Sequence, residues 1–137
     1  MSAPLYPPDP PWTPVTGLYL HSGHGHLVSW LTAAQAVKRW IKITTVKPEH
    51  ERALRARLFR PVPAWTELAA AQAACEAACE AARAAYSAEW PAYCAAGTAY
   101  SAARVALGAL YTPAMHAVDC VAGCPWNGHT IFAGGQP

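Results

Sequence analysis

The chain has 137 residues, room for one ordinary domain or a small domain with a long helical arm, and enough length to bury a core without obligatory metal or disulfides. Only 13% of its residues are charged, about half the usual share, and they sum to +2. Five cysteines, an odd number, do not complete a disulfide framework. Hydrophobic residues reach 53%, but much of that is alanine, so burial must lean on six Trp, six Tyr and scattered Leu, Ile and Val.

Six of the first fourteen residues, MSAPLYPPDPPWTP, are proline, which predicts an extended arm over 1–14. It reads as a loose tail, or as a polyproline segment packed on an aromatic partner, its own chain included, with Tyr6 and Trp12 as anchors. The arm lacks the basic and apolar regions of a secretory signal, so a cytoplasmic protein with reduced thiols is expected.

Residues 15–60 read as a small α/β segment. GLYLH and HLVSW flank a Ser-Gly-His-Gly turn and predict a β-hairpin. TAAQAVKRW (32–40) predicts a short helix capped by Thr32. IKITTV (41–46) is β-branched and alternating, hence a third strand. PEHERALRARLF then starts as a helix, with Pro48 in its first turn and acids beside it. Arg60-Pro61-Val62-Pro63 breaks the chain and marks a joint.

From Ala64 to Ala109, 21 of 46 residues are alanine, the best helix former. Trp65, Leu68, Gln72, Cys75, Cys79, Ala82 and Tyr86 follow a 3-4 spacing, the seam of a helical hairpin or coiled coil, with Glu76, Glu80 and Arg83 on the wet face. Pro91 demands a kink or a turn near Trp90. Beyond it Tyr93, Gly97, Tyr100, Arg104, Leu107 and Tyr111 form one stripe; a turn at Pro91 would make 61–112 an antiparallel helical hairpin. Residues 91–111 are long enough to span a bilayer. Arg104 would cost about 2.5–3.5 kcal/mol near the bilayer centre and alanine offsets little of it, so no membrane partner is expected.

The Pro-Ala-aromatic unit at 63 recurs at 91, each time followed by alanine and small or acidic residues, and the tail reads CPWNGHTIF. Over residues 63–132 the chain resembles small alanine-rich proteins of GC-rich bacteria and their phages that carry PAWAEYEAA-like units and CPWDGxTIF endings. No activity attaches to that group. The resemblance implies a small accessory protein, phage-derived, acting in the host cytoplasm.

The sharpest chemical signal is the tail, 113–137. His116, Cys120, Cys124 and His129 are four soft or borderline ligands within fourteen residues, and two thiolates with two imidazoles suit tetrahedral Zn²⁺. His116 and Cys120 share a face of a short helix after Pro113, and a turn at Asn127-Gly128 would bring His129 back toward Cys124. Such a closed site is structural rather than catalytic. Inert buried thiols, or a Cys120–Cys124 disulfide, are the alternatives. Cys75 and Cys79 read as small hydrophobes of the seam, with a partial thiolate site including Cys94 as the other option. His21, His24 and His26 in HSGHGH form a second histidine cluster: around the hairpin turn two of them could point to one side and bind a metal or a phosphate. No carboxylate is placed to orient an imidazole for catalysis, and a polar, solvated turn is the leading reading.

Charge placement points to a partner. Lys38, Arg39, Lys42, Lys47, Arg52, Arg55, Arg57 and Arg60 are eight of the ten basic residues; with Glu49 and Glu51 they give residues 38–60 a net +6, and the remainder −4. Trp40 and Phe59 interleave them, so the segment offers phosphate contacts and a base to stack, although Arg52, Arg55 and Arg57 cannot share one helical face. An acidic protein is the other partner class. Walker, GxGxxG, GxSxG and HExxH patterns are lacking.

The expected fold is therefore α+β: a small N-terminal β-element with short helices, then an alanine-rich helical hairpin and a compact Cys/His tail. The expected function is non-enzymatic: an accessory binding protein presenting its basic segment to nucleic acid or another acidic partner, with structural zinc in the tail. An assembly protein that oligomerises through its helices is the alternative, and a small metal-dependent enzyme the third.

Overall fold

The computed structural model describes residues 7, 9–23, 26–128 and 130–132. The fold is α+β, a three-stranded antiparallel sheet followed by mostly helical chain. It divides into two compact units: Met1–Val62 with Val118–Pro137, and Pro63–Ala117.

In the first unit, β1 (Gly17–Gly23) and β2 (His26–Leu31) form the expected hairpin, with Leu18 opposite Trp30 and Leu20 opposite Val28. The register shifts between Leu20 and Gly23, and His21 within that bulge takes φ 52°. A non-glycine residue in the left-handed region is uncommon, and here it breaks the in–out alternation of the strand. His24 and Gly25 lie outside the described residues.

The chain from Ala33 to Thr45 is one helix, α1, so IKITTV is not a strand. Ala36, Trp40 and Ile43 are all buried, and their spacing of four and three places them on one helical face. Burying that face outweighs the β-propensity of the threonines, whose hydroxyls turn back onto the helix: Thr44 donates to Trp40 O (2.9 Å) and Thr45 to Ile41 O (2.6 Å). Thr32 caps α1 as expected, within a full capping box with Gln35.

α2 (Glu49–Leu58) follows directly from its N-cap Pro48. The third strand of the sheet is instead β3, the two residues Arg60–Pro61, pairing with Leu20 and Tyr19 so that the order is β2-β1-β3. Proline is tolerated there because β3 is an edge strand. The core of this unit is Tyr19, Leu31, Ala36, Trp40, Ile43 and Phe59, with Trp12 of the proline-rich arm packed against it. Trp12 donates to Phe59 O (3.0 Å) and Trp40 to Pro7 O (3.2 Å), so the arm is tied to its own chain by two indoles. Tyr6 lies outside the described residues.

The second unit is a helical hairpin. A 3₁₀ turn (Thr66–Leu68) leads into α3 (Ala69–Ala84), a second 3₁₀ turn (Ala85–Ser87) reverses the chain, and α4 (Trp90–Leu110) packs along α3. Pro91 sits in the first turn of α4, where its missing N–H costs nothing, and so marks a turn rather than a kink. Leu68, Cys75, Cys79 and Leu107 are buried, whereas Tyr86 is 78% exposed and Gly97 is exposed with open space around it. The aromatic end of the expected seam is therefore at the surface: Trp90 stacks on Tyr93 and Tyr86 meets Tyr93 edge-on. Among the described residues, no helix is long and apolar enough to cross a membrane. Last in the chain comes α5 (Pro113–Asp119), which continues past Ala117.

Candidate metal centre and basic surface

The bulge in β1 and the segment after α5 build one cluster. His21, 1% exposed, presents Nε2 at 3.6 Å from Cys120 Sγ and 3.3 Å from Cys124 Sγ. Zn–S bonds of about 2.3 Å and Zn–N bonds of about 2.0–2.1 Å at a tetrahedral angle put sulfur and nitrogen about 3.5 Å apart. Both observed separations match that edge.

Local structure explains why the thiols arrive there. Thr112 caps α5 by accepting from Met115 N (3.1 Å), with Pro113 opening the helix, so Cys120 directly follows its last turn and His116 stands one turn earlier on the same side. Val121 O then accepts from Cys124 N (3.3 Å) across a tight turn whose Gly123 has φ 81°, a value suited to glycine. With His116 included, the four ligand atoms all lie within 4.8 Å of one another and can hold a metal ion. Trp126 packs beside His21, its ring tilted and 5.6 Å from the imidazole.

Burial, with the neighbouring Cys124 thiol, pushes the Cys120 thiol up to about 11; the Val121 amide and the Arg60 charge oppose that rise. A cation would reverse the balance, because a coordinated thiol loses its proton. Among the described residues no disulfide is formed.

His116, Cys120 and Cys124 are thus brought together, while the expected ligand His129 lies outside the described residues. The turn expected before it is present: Asn127 Oδ1 accepts from Thr130 N (2.9 Å), and Gly128 takes φ 100°. His21, expected in a separate histidine cluster around the hairpin turn, lies instead beside Cys120 and Cys124. The signal that could have joined it to the thiols is position: His21 directly continues Leu18-Tyr19-Leu20 in the central strand, where Leu18 to Ser22 are all buried. Cys75 and Cys79 are buried one turn apart on α3 and Cys94 is exposed on α4, and among the described residues these three do not form a ligand group as the Cys120 cluster does.

The basic segment divides. Trp40 (2% exposed) and Phe59 (1%) belong to the core, so neither is available to stack on a base. Arg55 (1%) is buried as well, its Nε donating to Glu51 Oε1 at 2.8 Å and its guanidinium 5.1 Å over the Phe132 ring. Arg52 is occupied in capping the end of α1, donating to Lys47 O (2.7 Å) and Thr45 O (3.0 Å). Lys38, Lys42 and Arg57 are exposed, and Arg39, Lys47 and Arg60 half-buried. Partial burial, and then the nearby charges of Arg55, Lys42 and Arg39, hold the Lys47 ammonium below its usual value despite Glu51.

No family model matches the chain, and no curated protein or solved structure matches it either.

Proposed function

We infer that the protein is a zinc-stapled, non-enzymatic binding module. The observation that carries this reading is the separation of His21 Nε2 from the two thiols, 3.6 and 3.3 Å, the edges of a tetrahedral N/S site. His21, Cys120 and Cys124 would hold the ion, with His116 as the fourth donor. Four protein ligands leave no open position for substrate, so the role of the metal is structural: it joins the central strand to the C-terminal segment. Cys120 and Cys124 would bind as thiolates.

The test is elemental analysis of purified protein, followed by replacement with Co²⁺. One equivalent of zinc is expected, and thiolate-to-cobalt charge transfer with tetrahedral d–d bands in the visible. His116→Asn should weaken retention of zinc against a chelator, while His129→Asn should leave it unchanged. Zinc-free protein with freely alkylated Cys120 and Cys124 would remove the reading; loss on His129→Asn alone would reassign the fourth ligand.

The partner of such a module is proposed from charge. Lys38 and Lys42, exposed one turn apart on α1 with Arg39 between them, favour a surface that binds an acidic partner, nucleic acid being the class with the densest negative charge. With the alanine-rich resemblance, this supports an accessory protein that works by binding. An assembly role for the helical hairpin rests on its exposed Tyr86 and Trp90, and is tested by light scattering over a concentration series.

A further inference from the structure

Besides the thiol cluster, the first unit carries a concavity between the proline-rich arm and the end of α2. Its volume is about 320 Å³, near the lower end of the range for small-ligand sites, about 300–1,000 Å³. Pro11, Trp12 and Pro61 supply flat apolar walls, and Arg57 and Arg60 are the charged groups among its lining residues.

Trp12 is held in place. Its ring lies 5.3 Å from Tyr19, 6.1 Å from Trp40 and 5.4 Å from Phe59, and its one donor is committed to Phe59 O at 3.0 Å. The indole therefore offers a visitor ring surface and no hydrogen bond. The two arginines are in the opposite condition. Unlike Arg52 and Arg55, neither has a side-chain hydrogen bond or ion pair with a described residue. Glu51, the acid within α2 nearest to them in sequence, is spent on Arg55. The cleft thus joins a fixed aromatic wall to two uncompensated guanidinium groups.

We propose that this cleft binds a single nucleotide unit, its base against Trp12 and the prolines and its phosphate between Arg57 and Arg60. Guanidinium forks pair with phosphate through two parallel hydrogen bonds, and two of them match a phosphate dianion better than a lone carboxylate. A base stacks on an aromatic ring without needing a hydrogen bond from it. The volume suits one nucleotide, free or as one residue of a single strand, and not a duplex. The proposal rests on the anion-binding reading of the basic segment and is independent of the zinc site, whose donors lie elsewhere.

The experiment is calorimetric titration of the full chain as purified with adenosine 5′-monophosphate, adenosine, inorganic phosphate and a short single-stranded oligoadenylate. The monophosphate should bind saturably with Kd of about 1 mM or tighter, more tightly than either half-molecule, and should shift the Trp12 Nε1–H resonance. Arg57→Gln and Arg60→Gln should each weaken it by about tenfold, the loss of a charged hydrogen bond. Lys38→Ala/Lys42→Ala should leave the monophosphate unaffected while weakening the oligomer, which separates the cleft from the wider basic face. Oligomer binding without monophosphate binding would overturn the cleft and leave the basic face standing; no anion binding at all would overturn both. Equal binding of inorganic phosphate and monophosphate, an unmoved Trp12 signal, or wild-type affinity in the arginine variants would also overturn the proposal. Melting curves of both arginine variants check that they are folded, and the unshifted Trp12 resonance of each free variant confirms the cleft is intact.

Discussion

Nε2 of His21 stands 3.3 Å from Sγ of Cys124 although 103 residues separate them along the chain. A cross-link between positions so far apart removes much freedom from the unfolded chain. For a covalent bridge closing a loop of about 100 residues, the chain-entropy value is about 4.7 kcal/mol, and a bound metal acts in the same sense.

Metal removal should therefore destabilise the protein steeply. A chelator is expected to lower the thermal midpoint by more than about 10 °C, since each kcal/mol is worth several degrees in a domain of this size. His21→Ala should start from the lowered midpoint and show no further response to chelator. Calorimetry with and without chelator checks this. A wild-type midpoint indifferent to chelator would show that the thiols are held by packing alone.

Arg55 and Glu51 make a second testable pair, because a buried charge is harmless only while partnered. Both are buried, at 1% and 4% exposure, and joined at 2.8 Å. Glu51→Leu or Arg55→Met alone should cost about 3–5 kcal/mol by taking from the other buried charge the partner it holds at 2.8 Å, whereas the double change Glu51→Leu/Arg55→Met should recover most of that loss. Urea unfolding of the four proteins forms the cycle. Additive losses would show that the partners do not depend on each other.

Much of the fold is legible in the residues. The capping pair Thr32 and Gln35, the hairpin on either side of residues 24–25, and the proline in the first turn of α4 are local devices whose meaning does not depend on the rest of the chain. IKITTV misleads because strand propensity is local while the Ala36, Trp40 and Ile43 face is decided by what it packs against. The same limit hides one of the four candidate metal ligands. His116, Cys120 and Cys124 announce themselves by spacing, but His21 joins them through a strand bulge a hundred residues away, and no spacing rule reports that. Arg55 looks like its exposed neighbours in sequence. Only helical phase against the core, with Glu51 four residues before it, separates a buried cation from a binding one.

Tyr19 links stability to alkaline pH. Its hydroxyl donates to Val15 O (2.6 Å) and accepts from Val15 N (3.1 Å), anchoring the start of β1. Burial raises the phenol above 10, with the bond to Val15 acting weakly the other way. The folded state thus holds this proton more tightly than the unfolded chain does. Its contribution is complete below pH 10 and is lost as pH rises through the elevated folded value. Tyr19→Phe should cost about 1–3 kcal/mol at neutral pH, leaving the Val15 N–H unpaired, and should flatten the fall in stability above pH 10. Urea midpoints from pH 8 to 11 check both; an unchanged alkaline slope in the variant would assign the loss to other groups.

The last prediction concerns how many charges the basic face can use. Eight cations in the sequence suggest many phosphate contacts, but Arg55 is buried and Arg52 caps a helix end. Arg57 and Arg60 line the cleft beyond α2. That leaves Lys38, Arg39 and Lys42 on α1, with Lys47 just past its end. Lys38 and Lys42 are one turn apart and point away from the buried Ala36–Trp40–Ile43 face. Four contacts there and one phosphate in the cleft give a log–log dependence of affinity on salt with slope of about −3.5 to −4.5, against about −6 or steeper if all eight cations each touched a phosphate. Lys38→Ala/Lys42→Ala should reduce that slope by about 1.5–2 without changing the melting point, because neither side chain is buried. Fluorescence anisotropy on labelled random oligonucleotides from low to moderate salt measures it. A slope that ignores the two lysines would move the binding surface off α1, and salt-independent binding would discard nucleic acid as the partner.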